Sequence, residues 1–196
     1  MSTGTIVQVA NLSMFGFDNP DDPGSDAIVE FSNGLVFADP HGGAWVATGI
    51  YMGMVRVSWS TGHPPAAELD EWEDVVQVVI TPSGGVLSVC GYRESGPEGN
   101  SPNLALDPEA EHMLRCYAKG RDIATHGALD EEDEPVEEYY LELWLRRPDD
   151  EARVLKLTSE FGKDLAATEP SEVTLNPQVL SSAPAGSDLV TLSDAW

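Results

Sequence analysis

The strongest constraint on this chain is the alternation in Glu138-Tyr139-Tyr140-Leu141-Glu142-Leu143-Trp144-Leu145-Arg146. Extended backbone turns successive side chains to opposite faces, so Tyr139, Leu141, Leu143 and Leu145 share one side and Tyr140, Glu142, Trp144 and Arg146 the other. The first set suits a buried sheet surface, and the mixed second set suits a face half open to solvent. Directly upstream lies Asp130-Glu131-Glu132-Asp133-Glu134-Pro135-Val136-Glu137, almost wholly anionic. A core strand fed by an acidic loop is therefore the expected centre of the fold.

The rest of the chain reads as short strands between turn signals. Thr5–Phe17 suggests a strand running into a loop, and Asp18–Gly24 is turn chemistry. Ser32-Asn33-Gly34 joins Ala27–Phe31 to Leu35–Ala38 as an expected hairpin, since Asn and Gly both tolerate positive φ. Further strands are expected at Ala44–Thr48, Met54–Trp59, Val75–Ile80, Val86–Gly91, Asn103–Leu106 and Glu111–Ala118. Val154–Thr158 is expected to pair with the central strand across the turn at Pro148–Glu151. Pro65–Val76 is the best helix candidate, with a loop that docks Trp72 as its alternative, and Ser159–Ala167 suggests a terminal helical turn. Nine or ten short strands with at most one or two short helices imply an all-β, mainly antiparallel fold, a two-sheet β-sandwich of jelly-roll-like topology. Residues 1–167 would form that domain. From Thr168 to Trp196 Pro, Ser, Ala and Gly dominate, which reads as a loosely ordered tail.

Charge narrows the function. The chain carries 34 acids against 10 Lys and Arg, a formal −24. No Lys or Arg precedes Arg56 or follows Lys163. Such a chain repels nucleic acid, so any partner recognised by charge should be a basic protein. Acids cluster at Asp18–Asp26, Glu68–Asp74 and Asp130–Glu138. Gathered at one end of a domain, such loops would steer cationic partners. With no signal peptide and no apolar run near 18 residues, a cytoplasmic, membrane-free location is expected. Cys90 and Cys116 then read as free, half-buried thiols.

A wider pattern adds to this reading. An acidic loop after the first strand, Ser32-Asn33-Gly34, Thr48-Gly49, Val55-Arg56-Val57 and Asp107-Pro108 follow in order. Ala118-Lys119-Gly120-Arg121-Asp122, Glu134-Pro135-Val136-Glu137, Tyr140-Leu141 and Trp144 complete the series. This layout resembles bacterial β-sandwich proteins of the ComJ-like competence nuclease-inhibitor type and acidic actinobacterial relatives. The resemblance implies an immunity or inhibitor protein that neutralises a nuclease or another toxin-like enzyme.

No catalytic residue, metal site or cofactor is assigned. The four His and two Cys lack zinc-ligand spacing. The 130–134 run lacks the alternating ligands and glycine of an EF-hand loop. Asp39-Pro40-His41-Gly42-Gly43 places a carboxylate and an imidazole in a Gly-rich loop, which keeps open a small enzyme or ligand-binding sandwich with its site near His41. The expected partner-binding set is Glu68, Asp70, Glu71, Trp72, Glu73 and Asp74 with Asp130, Glu131, Glu132, Asp133 and Glu134. Trp72 would be either an aromatic anchor ringed by carboxylates or the pin of its own loop.

Overall fold

The computed structural model describes residues 3–9, 14–18, 26–29, 31–39, 43–62, 67, 69–82, 85–91, 103–130, 132–168 and 171–174. Thirteen strands and one helix are described. They are β1 Thr3–Val9, β2 Met14–Asp18, β3 Asp26–Val29, β4 Val36–Ala38, β5 Ala44–Ala47, β6 Gly53–Thr61 and β7 Asp74–Ile80. After them come β8 Val86–Gly91, β9 Asn103–Ala105, β10 His112–Lys119, β11 Glu138–Leu145, β12 Arg153–Leu157, α1 Glu160–Ala167 and β13 Ser171–Thr174. A six-stranded sheet runs β1-β6-β11-β10-β7-β12, a five-stranded sheet β4-β5-β2-β8-β9, and β13 pairs with β3. The fold is all-β and mainly antiparallel, with β11 parallel to β6. Among the described residues no helix is long and apolar enough to cross a membrane.

One apolar core takes Val55, Val57, Leu114, Leu141 and Leu143 from the larger sheet and Val36, Val46, Leu87, Val89 and Leu104 from the smaller. Tyr139, Leu141 and Leu143 of β11 are buried as their alternation requires, whereas Leu145 at the strand's end is exposed. The opposite face of β11 is less open than its mixed composition suggests. Glu142 there is buried and accepts from Arg115 Nη1 at 3.0 Å and Tyr117 Oη at 2.7 Å. Arg115 Nε donates to Gln77 Oε1 at 3.2 Å, and its guanidinium lies 4.9 Å from the Trp144 ring centroid. Buried charge persists when paired and hydrogen-bonded, as here.

Several expected elements take other partners. The Asn33-Gly34 turn forms, closed by Gly34 N donating to Phe31 O at 2.6 Å. It does not make a hairpin: β3 pairs with β13, and β4 with β5. Asn33 Oδ1 accepts from Leu35 N and Val36 N, Gly34 has φ 77°, and Gly34 O accepts from buried Arg121. The turn's polar groups are thus spent on anchoring it inward. Likewise β12 pairs with β7 and not with β11, because β10 and β6 already hold both edges of β11. Thr5–Phe17 divides into β1 and β2, which enter different sheets. The helix expected over Pro65–Val76 is absent where described: Leu69–Glu73 is a loop and Asp74 opens β7. The helix observed is α1, where the Ser159 side chain accepts from Gly162 N as an N-cap. Strand pairing reaches Thr174 through β13, inside the segment read as tail. Cys116 is a free thiol and fully buried, not half-buried, and burial pushes its pKa up.

Candidate functional site

Register decides which loops meet. Asp74, the first residue of β7, stands opposite Ala118, and Glu138, the first of β11, stands opposite Lys119. The loops that feed these two strands therefore leave the same end of the sheet, roughly 10 Å apart with β10 between them. Arg56 near the start of β6 pairs with Glu138, and Leu157 at the end of β12 pairs with Asp74. The 120–127 turn after β10 and helix α1 after β12 consequently emerge at this end too.

Of the expected contact residues, Asp70, Glu71, Asp130, Glu132, Asp133 and Glu134 are exposed there. Glu73 is half-buried and its Oε2 accepts from Gly120 N at 2.8 Å. Asp133 closes its own turn by accepting from Asp130 N at 3.0 Å. Glu68 and Glu131 lie outside the described residues, as does His41 of the alternative site. Cations at this end are few: Arg56 pairs with Glu134 and Glu138, Lys119 with Glu138. Lys156 Nζ donates to the carbonyls of Leu69 and Trp72. Exposed pairs of this kind contribute little to stability, and the surface stays strongly negative.

Trp72 is half-buried, with ring centroids 5.5 Å from Tyr117 and 6.4 Å from Tyr140 and the Lys119 ammonium 5.1 Å from its ring. These contacts are those of a residue that pins its loop to the sheet. Asp74 corrects the expected set outright. It is fully buried, and its carboxylate accepts from Arg121 Nη1 at 2.7 Å, Ser159 Oγ at 2.5 Å, Thr158 N at 2.8 Å and Ser159 N at 3.0 Å. A carboxylate so occupied holds the scaffold together and cannot meet a partner.

Glu137, near the end of the acidic cluster, also turns inward. It is fully buried and accepts from Ile50 N at 2.7 Å, Gly49 N at 3.2 Å and Tyr139 Oη at 2.5 Å. Burial raises its pKa from 4.5 to about 7, against the lowering effects of the Tyr139 and Ile50 hydrogen bonds and the Arg121 charge.

The sequence reading missed what surrounds Arg121. In the sequence Gly120-Arg121-Asp122 figures only as part of the family resemblance, yet Arg121 is buried and the Asp122 carboxylate accepts from Glu160 N and Phe161 N, both at 2.9 Å. A Ser-Glu-Phe-Gly start to a helix signals a cap, but nothing in sequence says that a residue some forty positions upstream completes it.

This geometry can be set beside known proteins. No family model and no curated protein sequence matches the chain. ComJ is among the solved structures it resembles. That structure, ComJ from Bacillus subtilis, an inhibitor of the DNA-degrading activity of NucA, is 12% identical with a TM-score of 0.45. The match covers 74% of this chain and 98% of ComJ. Crocagin biosynthetic gene J is similar to the same degree, 14% identical with a TM-score of 0.44, over 75% of this chain and 98% of that one.

Proposed function

We propose that the chain is a non-catalytic binding protein that captures and neutralises a basic protein, nuclease- or toxin-like, through the acidic end of its six-stranded sheet. The observation that carries this reading is the register that sends the 69–73 and 130–137 loops out side by side. Exposed Asp70, Glu71, Asp130, Glu132, Asp133 and Glu134 form the contact, joined by Glu68 and Glu131 of the same loops. Trp72 and Glu73 support them from below. A formal charge of −24 draws a cation-rich protein in from a distance, and the local cluster orients it on arrival. In this reading the scaffold is a jelly-roll-like sandwich of the two larger sheets, which is supported by the core residues they share. The protein works in the cytoplasm.

The nuclease or toxin-like class of partner is the one that the sequence resemblance implies, and basic nucleases are the first to try. Binding and DNA degradation are measured for a panel of basic nucleases that includes NucA, at 50 and 500 mM NaCl, with wild-type protein and with the Glu132→Lys, Asp133→Lys, Glu134→Lys triple variant. Wild type is expected to bind and inhibit at least one member, more weakly at high salt, and the variant to lose on the order of 100-fold in affinity. Undiminished binding by the variant removes the 130–134 loop from the contact. Binding of none at low salt removes the proposal.

A further inference from the structure

A cavity opens at the same acidic end, beside the loops assigned to the contact. It measures about 350 Å³ and lies between the 120–127 turn and α1. Phe161 and Leu165 give it apolar walls, and Asp122, Glu160, Asp164 and His126 complete its lining. Surface carboxylates alone do not make a site. Here three of them line a half-open hollow with an aromatic ring in its wall. The volume sits at the lower limit for small-molecule pockets, the size of a single long side chain or a small compound.

The lining is held in place. Both oxygens of Asp122 are fixed by the amides of Glu160 and Phe161, and a carboxylate so bonded still keeps accepting capacity. Phe161 is gripped by the Arg121 guanidinium 4.8 Å from its centroid and by His126 edge-on at 5.8 Å. Glu160 is paired with Lys163, an exposed bridge that a competing cation displaces at little cost. Ile123 on the same turn is 68% exposed, an apolar group of the kind that interface centres cover.

Resting on the function proposed above, we infer that this cavity seats an arginine side chain projected by the basic partner. The methylene stem would lie against Phe161 and Leu165 and the guanidinium among Asp122, Glu160 and Asp164. Arginine suits the site better than lysine, because its planar head pairs with two carboxylates at once while its stem lies along the ring and Leu165. The chain's own ends do not supply it: residues 1–55 and 164–196 contain no Lys or Arg. A second copy would bring another −24 to the contact. The energetic anchor of the interface is thus this cavity, and Trp72 serves its own loop.

The test needs no partner. Amide shifts of the full-length protein are followed by NMR as N-acetylarginine amide is added at constant ionic strength, with N-acetylcitrulline amide as the neutral isostere. Saturable shifts confined to residues 122–126 and 160–165, given by the arginine compound and not by the citrulline one, are expected. The Glu160→Gln, Asp164→Asn double variant, which leaves the Asp122 cap intact, should bind about tenfold more weakly. Equal response to both compounds, no response, or a dimer that sediments as such and covers these residues would overturn the inference. Arginine binding here without capture of any basic nuclease would uphold the cavity and sink the broader function. Loop-dependent capture that the double variant leaves unchanged would do the reverse.

Discussion

Glu137 is the residue whose environment departs furthest from what its neighbours in sequence suggest. Five of the seven residues before it are acids, yet among the described residues of that run it alone is fully buried, held by two backbone amides and the Tyr139 hydroxyl. Its pKa, about 7 in the native protein against 4.5, fixes a sign. Between those values the folded chain holds a proton that the unfolded chain releases. The contribution is fully present below about pH 4.5 and is lost as pH rises through 7, an effect of about 3 kcal/mol. Urea denaturation from pH 4.5 to 8 should show wild type losing stability over that window, with Glu137→Gln losing less. The variant should also be weaker throughout by about 1–3 kcal/mol, because an amide offers one acceptor oxygen where the carboxylate offers two. Parallel pH curves for the two proteins would refute the assignment.

At the scale of elements, one buried ion pair joins four pieces of chain. Asp74 opens β7, Arg121 sits in the turn after β10, Ser159 caps α1, and Gly34 lends its carbonyl from the Asn-Gly turn. Removing one member of a buried pair leaves the other charge uncompensated, so Arg121→Met should cost about 3–5 kcal/mol by urea denaturation. A loss under about 1 kcal/mol would show that the pair does not tie these elements together. This junction also marks how far the sequence could be read. The strands themselves were legible, because alternation in Val55–Trp59 or Tyr139–Leu143 follows from burial of one face and needs no knowledge of neighbours. Their pairing was not. Asn33-Gly34 has hairpin chemistry, but its outcome is set by Arg121 and by the backbone of Gly162, whose carbonyl oxygen a Cβ at Gly34 would strike. Contacts between residues about ninety apart leave no local trace. The candidate surface divides the same way: runs of exposed acids were visible, while the inward turn of Asp74 and Glu137 and the cavity beside Phe161 depend on tertiary packing.

For the whole molecule, the excess of 24 negative charges repels itself in the compact state. Salt screens this repulsion within about 10 Å at 0.1 M. Stability at neutral pH should therefore rise as NaCl goes from 10 to 500 mM, while affinity for a cationic partner falls over the same range. Thermal melts that fail to shift upward with salt would mean that the carboxylates are already balanced. The two trends with opposite sign separate self-repulsion from partner capture in one set of buffers.

The parallel pairing of β6 with β11 has a consequence for synthesis. Arg56 meets Glu138 across a separation of 82 residues. At a translation rate of about 5–20 residues per second, roughly 4 to 16 seconds pass between the emergence of the two strands. Until β11 is made, the edge of β6 away from β1 has no strand to pair with. An edge left open for that long is a template for pairing with another chain, and the charges flanking an apolar strand oppose such pairing.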